Sequence, residues 1–152
     1  MRAIALALLS VVVVAALSAE LQRDQSASLY MLAVGHTGYV PEKAPTVRLA
    51  SRSKLCEIIG VPEPCNVRGV TDGNGIIWLD RQLDFSNALD SSVLLHEFVH
   101  YVQWSKGGAA TDCTEWMRRE HEAYRIQIYA LERAGQQTLG PRMALQQLRC
   151  FE

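Results

Sequence analysis

The sequence predicts a small α+β domain in which two long helices pack together beside a short β-sheet or hairpin. Two segments, 91–106 and 112–134, carry apolar residues at helical spacing with capping residues at their ends. Two short apolar runs flank the turn Thr71-Asp72-Gly73-Asn74-Gly75. The length of 152 residues, 49% of them apolar, suits one core and is cramped for two. Fifteen Lys and Arg against sixteen Asp and Glu leave a formal charge of −1, without the basic excess that a nucleic-acid partner requires.

From the N-terminus, Ala3 to Leu17 is apolar apart from Ser10 and follows Met1-Arg2, with small residues at Ser18 and Ala19 and polar ones from Glu20. This is the pattern of a secretory signal peptide at 1–19 ahead of a single domain at 20–152. Its apolar core is shorter than the roughly 20 residues of a membrane-spanning helix. Leu17 is larger than ideal three residues before the cut, which keeps an uncleaved anchor as the alternative. The expectation is a secreted or periplasmic protein with no stable membrane insertion after cleavage.

Glu20 to about Ala44 is polar and irregular, and supports only a short helix or loop. Thr46 to Ala50 alternates as a strand, and Ser51 or Ser53 can cap a helix that runs through Ile59 and stops at Gly60 and Pro62. Asn66 to Val70 and Ile76 to Leu79 form a hairpin, since Asp-Gly and Asn-Gly accept the backbone angles of a tight reversal. The first long helix spans Ser91 to Lys106, with Asp90 as N-cap and Gly107-Gly108 as its stop. Val93, Leu94, Phe98, Tyr101 and Val102 wrap around much of it, so it is central and buried. The second opens at Asp112-Cys113-Thr114-Glu115, which resembles a capping box, and ends near Ala134 before Gly135. Gly140-Pro141 then permits a short helix from Arg142 to about Leu148.

Export directs the reading of Cys56, Cys65, Cys113 and Cys150 toward disulfides. Of three possible pairings, Cys56 with Cys65 and Cys113 with Cys150 are preferred: one closes a short loop containing Pro62 and Pro64, the other ties the C-terminal tail to the second long helix. A four-cysteine zinc site lacks any Cys-x-x-Cys spacing.

The first long helix contains His96-Glu97-Phe98-Val99-His100. Histidines four apart share a helix face about 6 Å apart, within reach of one metal ion. Glu97 lies about 100° around the axis, beside that ion, where a carboxylate can act as general base. Burying two imidazoles and a carboxylate costs several kcal/mol unless something satisfies them. A catalytic zinc normally takes a third protein ligand and keeps an open position. Glu120 heads a stripe with Ala123, Tyr124, Gln127 and Leu131 on the second helix; Glu122, Glu115 and His121 are its rivals.

The order His-Glu-x-x-His, a loop, then a helical Glu-x-x-Ala resembles the gluzincin metallopeptidases, the thermolysin-like group. There the third ligand is a glutamate about twenty residues after the second histidine, which implies Glu120. The resemblance covers about Leu94 to Gln127 and a preceding hairpin, and the chain looks like a minimal gluzincin. It implies a Zn2+ cofactor held by His96, His100 and Glu120, Glu97 as catalytic base, and a peptide or protein substrate. The departure is Tyr124, which stands where such enzymes carry an aspartate that orients a zinc-bound histidine; Asp80, Asp84, Asp90 or a backbone carbonyl are the substitutes. Tyr124, His121, Tyr39 and His36 are the oxyanion-stabilising candidates by chemistry. The strand Ile76 to Leu79 has two readings of equal weight, a sheet edge that takes an extended peptide by strand addition and an ordinary core strand. The rival readings are a non-catalytic, zinc-stabilised exported binding or structural protein, and a metal-free helix pair whose histidines are satisfied by carboxylates.

Overall fold

A computed structural model describes residues 23–150; the expected signal peptide at 1–19 lies outside the described residues. Along the chain come α1 (23–37), β1 (Thr46–Ala50), α2 (Arg52–Ile59), β2 (Gly69–Thr71), β3 (Ile76–Asp80), α3 (Ala88–Gly107), α4 (Cys113–Arg133) and α5 (Leu139–Gln147). The fold is α+β, as the sequence predicts.

Local sequence accounts for most element ends. Ser51 caps α2 by accepting from the Lys54 amide, and Gly60 ends it at φ 70°. Asp112 caps α4 through the Glu115 amide, while Glu115 reaches back to the amide and hydroxyl of Thr111, one residue earlier than in a capping box. The β2–β3 turn is organised by Asp72, whose carboxylate accepts from the amides of Asn74 and Ile76 and from the Trp78 indole, each at 2.9 Å. Gly75 closes the turn at φ 74°, and a Cβ there would lie 2.4 Å from the Trp104 ring, so angle and space both demand glycine.

The sheet order is β1-β3-β2, with β1 parallel and β2 antiparallel to β3. The strand at Ile76 is therefore central, which selects the core-strand reading over the edge. The β1–β3 pairing spans a crossover through α2, which local alternation does not reveal. The free edge beside α3 belongs to β2.

α3 passes between the sheet and α4, with Leu95, Phe98, Val99 and Val102 buried in one cluster with Ile77, Leu79, Ala123 and Ile126. It is central and buried, as its wrapped apolar pattern predicts. It begins at Ala88, where Asn87 accepts from the Leu89 amide at 2.8 Å. Asp90 is not the cap; it accepts from the Asp84 amide at 2.8 Å and pairs with Arg68 at 2.9 Å. Residues 23–37 form a full helix where the sequence supports only a short helix or loop. Ala33 and Val34 are buried, and Tyr30 sets its ring edge-on to Phe98 at 5.4 Å, so packing stabilises what local propensity does not. α5 starts three residues before Arg142, with Pro141 in its first turn.

Both preferred disulfides are present, Cys56–Cys65 and Cys113–Cys150. The first ties α2 to the segment entering β2; the second fastens the residues after α5 to the first turn of α4. Two disulfides are consistent with an oxidising, extracytoplasmic compartment, and among the described residues no helix is long and apolar enough to cross a membrane.

Loop closure ranks the two bridges. A separation of 37 residues against 9 predicts a loss of about 4 kcal/mol for the Cys113→Ser/Cys150→Ser variant and about 2.5 kcal/mol for Cys56→Ser/Cys65→Ser, read from urea denaturation. The reverse order would contradict this. Asp80 supplies a pH signature. Burial raises its carboxyl pKa, but the Gln82 amide and the Arg52 guanidinium outweigh burial and hold it below the ordinary aspartate value. A depressed folded pKa stabilises above the unfolded value and loses that contribution as pH falls through the folded one. Asp80→Asn should cost about 2 kcal/mol at neutral pH, and the gap should narrow as pH falls below the ordinary aspartate pKa; a pH-independent gap in denaturant melts would refute the assignment.

Candidate metal centre

One turn of α3 carries His96 and His100 on the face toward α4, and Glu120 projects from α4 between them. His96 Nε2 lies 3.0 Å from His100 Nε2 and 3.4 Å from Glu120 Oε2, and His100 Nε2 lies 3.1 Å from Glu120 Oε1. One ligand atom from each of the three falls within 4.8 Å of the others. Bonds of about 2.0–2.1 Å in a tetrahedral zinc site put ligand atoms roughly 3.3 Å apart, so these spacings suit a common ion.

The expected rivals of Glu120 are engaged elsewhere. Glu115 pairs with Arg119, His121 is exposed, and Glu122 accepts from Gln103 Nε2 at 2.9 Å. That Gln103 amide also donates to the Arg119 carbonyl at 3.1 Å, while its oxygen lies 2.9 Å from His100 Nδ1. Asp80, Asp84 and Asp90, the expected orienting carboxylates, bind Arg52, Ser86 and Arg68 instead.

Glu97 lies beside the three donors, turned toward the sheet. It is 4% exposed, and the Thr71 hydroxyl donates to its Oε2 at 3.0 Å. A Cβ at Gly69 would fall 2.8 Å from Glu97 Cγ and 2.9 Å from Oε1, so β2 makes room for this side chain by lacking one of its own. Burial raises the Glu97 pKa, against the lowering influence of both histidines. Burial alone would lower the His100 pKa, but hydrogen bonding to Glu120 and the charges of Glu120 and Glu97 bring it to about 9. The same histidines overcome burial at Glu120 and hold it far below the ordinary glutamate range.

The cluster thus asks for positive charge. Protonating an imidazole supplies it in part; a divalent cation balances both carboxylates and leaves both imidazoles neutral. Two imidazoles and a carboxylate are also donors that suit Zn2+. His96 Nδ1 is buried without a hydrogen-bond partner among the described residues, and its ring packs against Tyr124 at 4.4 Å.

These groups line a cleft of about 940 Å3 between β2 and the α4–α5 side. Tyr124 is the one expected oxyanion candidate in its lining. His36 meets Tyr129 edge to face, Tyr39 donates to the Ser105 carbonyl, and His121 faces solvent. Desolvation first, then the charges of Glu120 and Glu97, push the Tyr124 pKa up to about 12, so its hydroxyl remains a donor. Sequence reasoning missed Gly69, Thr71 and Gln103. The first two carry no local signal, whereas Gln103, three residues after His100 on the same helix, was open to detection by helical spacing.

Because Gly69 is the space in which Glu97 sits, Gly69→Ala should destabilise the fold by about 1–3 kcal/mol through overpacking, measured by denaturant unfolding. A neutral result would show that Glu97 moves aside freely.

Residues 31–139 match the family described as Domain of unknown function (DUF6647), and this span covers most of the chain, which belongs to that family. No curated protein and no solved structure matches it.

Proposed function

We propose that this member of the DUF6647 family is an exported zinc-dependent hydrolase, a peptidase of gluzincin type, in which His96, His100 and Glu120 hold Zn2+ and Glu97 is the general base. The observation that carries the reading is the convergence of three donors from α3 and α4 in an open cleft, with a buried carboxylate beside them. Structural zinc sites are closed by four protein ligands, whereas catalytic ones have three and an open position. This set of three favours catalysis over the alternative of a zinc-stabilised binding or structural protein.

Zinc, when bound, supplies Lewis acidity toward a carbonyl oxygen and lowers the pKa of a water to about 7. The chain's own residues do the rest. Glu97, with one carboxylate oxygen held by Thr71 and its pKa raised by burial, accepts the proton of the attacking water and returns it to the leaving amine. Tyr124 keeps its proton and has no hydrogen-bond partner among the described residues, so its hydroxyl can donate to the oxyanion as charge develops. The free edge of β2 offers backbone groups to an extended peptide lying along the cleft.

Purified wild-type protein should carry near-stoichiometric zinc by elemental analysis, and His100→Ala and Glu120→Ala should lose it. Glu97→Gln should keep the metal and lose hydrolysis of a mixed-sequence quenched-fluorescent peptide library by about 10²- to 10⁴-fold. Absence of metal in the wild type sinks the reading. Metal without hydrolysis favours the non-catalytic alternative, and a fully active Glu97→Gln variant removes the base. Tyr124→Phe should lower turnover by about 10²-fold with zinc content unchanged; unaltered turnover would dismiss the oxyanion role.

A further inference from the structure

We propose that Gln103 is a positioning residue for the metal site. Backed by Glu122, it sets the tautomer and rotation of His100 and locks the facing turns of α3 and α4 together. The inference rests on the zinc reading above and extends it to two residues that bind no metal.

The argument starts from what an amide can donate and accept. Gln103 Nε2 is committed as a donor to two acceptors on α4, Glu122 Oε2 at 2.9 Å and the Arg119 carbonyl at 3.1 Å. Its other end is therefore the carbonyl oxygen, which only accepts, and it lies 2.9 Å from His100 Nδ1. Nδ1 must carry the proton. In the neutral, metal-binding imidazole the lone pair is then left on Nε2, the atom 3.1 Å from Glu120 Oε1 and 3.0 Å from His96 Nε2.

The same amide fixes geometry between the helices. Arg119 and Glu122 flank Glu120 on α4, so an amide bonded to both holds the turn that presents Glu120 at a set height along α3. Glu122 orients the amide, and the amide orients the imidazole. The chain thereby does without an aspartate at position 124, where the Tyr124 ring packs against His96 at a tilt of 60° instead. The two histidines are supported unequally: His100 by a hydrogen-bonded relay, His96 by ring packing, its Nδ1 having no partner among the described residues.

The test is metal affinity, measured by titrating metal-free protein with Zn2+ against a chromophoric chelator, with the Co2+ visible spectrum as a report on ligand geometry. Gln103→Leu should weaken Zn2+ binding about 10- to 100-fold and alter the Co2+ spectrum, while the metal-free protein stays folded and melts at a lower temperature. The double variant Gln103→Glu/Glu122→Gln exchanges amide and carboxylate. It keeps an acceptor facing His100 Nδ1 and a donor from position 122 behind it but gives up the bond to the Arg119 carbonyl, and should bind more tightly than Gln103→Leu while falling short of wild type. Gln103→Glu alone sets two carboxylates against each other and should not. Wild-type affinity in Gln103→Leu would overturn the proposal, as would a folded exchange variant that binds as weakly as Gln103→Leu. If wild type binds neither ion while His100→Ala behaves identically, the zinc reading itself has failed; if wild type binds and only the Gln103 series is flat, this inference alone has.

Discussion

Two imidazoles and Glu120 share the interface between α3 and α4, with Glu97 beside them toward the sheet, and much of the surrounding structure answers the cost of burying these groups. Each such group pays several kcal/mol to leave water unless it is paired or hydrogen-bonded. The chain meets that cost from three sides. Thr71 donates to Glu97 from the sheet, Gln103 links His100 to α4, and Glu120 lies between the two imidazoles. A protonated imidazole balances one of the two carboxylates, and the divalent cation proposed for the site would balance both.

The rest of the fold keeps this interface in register and leaves it reachable. β3 is pinned between two neighbours, so β2 holds a fixed position with Gly69 and Thr71 over Glu97. Asp72 ties the turn after β2 to three donors, and Trp104 of α3 presses on Gly75 within that turn. On the opposite side of the cleft, α5 is anchored through Cys113–Cys150, so a short helix with one buried residue still forms a stable wall. The cleft is thus bounded by a strand edge on one side and a tethered helix on the other.

Legibility in the sequence followed the range of the interactions. The cap at Asp112, a serine cap for α2 narrowed to Ser51 or Ser53, the Asp-Gly and Asn-Gly reversal, and the stops at Gly60 and Gly108 act within a few residues, and they were readable. The same holds for the alternation of β1. α1 was not readable as a full helix, because its stability comes from Tyr30, Ala33 and Val34 meeting α3 more than sixty residues away in sequence. Nor was the central place of β3, which depends on a parallel partner across a crossover. Asn87 displaced Asp90 as the cap of α3 because Asp90 is drawn to Arg68 and the Asp84 amide.

The candidate site divides along the same line. Helical periodicity alone put His96 and His100 on one face and Glu97 to its side, since 3.6 residues per turn leaves no freedom within a single helix. The gluzincin-like spacing pointed to Glu120, but the angle at which α4 meets α3 depends on how Ala123 and Ile126 pack against the buried face of α3. Only that packing decided that Glu120 faces the imidazoles while Glu122 meets Gln103. It also decided that a glycine and a threonine of the sheet adjoin Glu97. Rotation of one helix against another is set by side chains distant in sequence, and no local pattern encodes it.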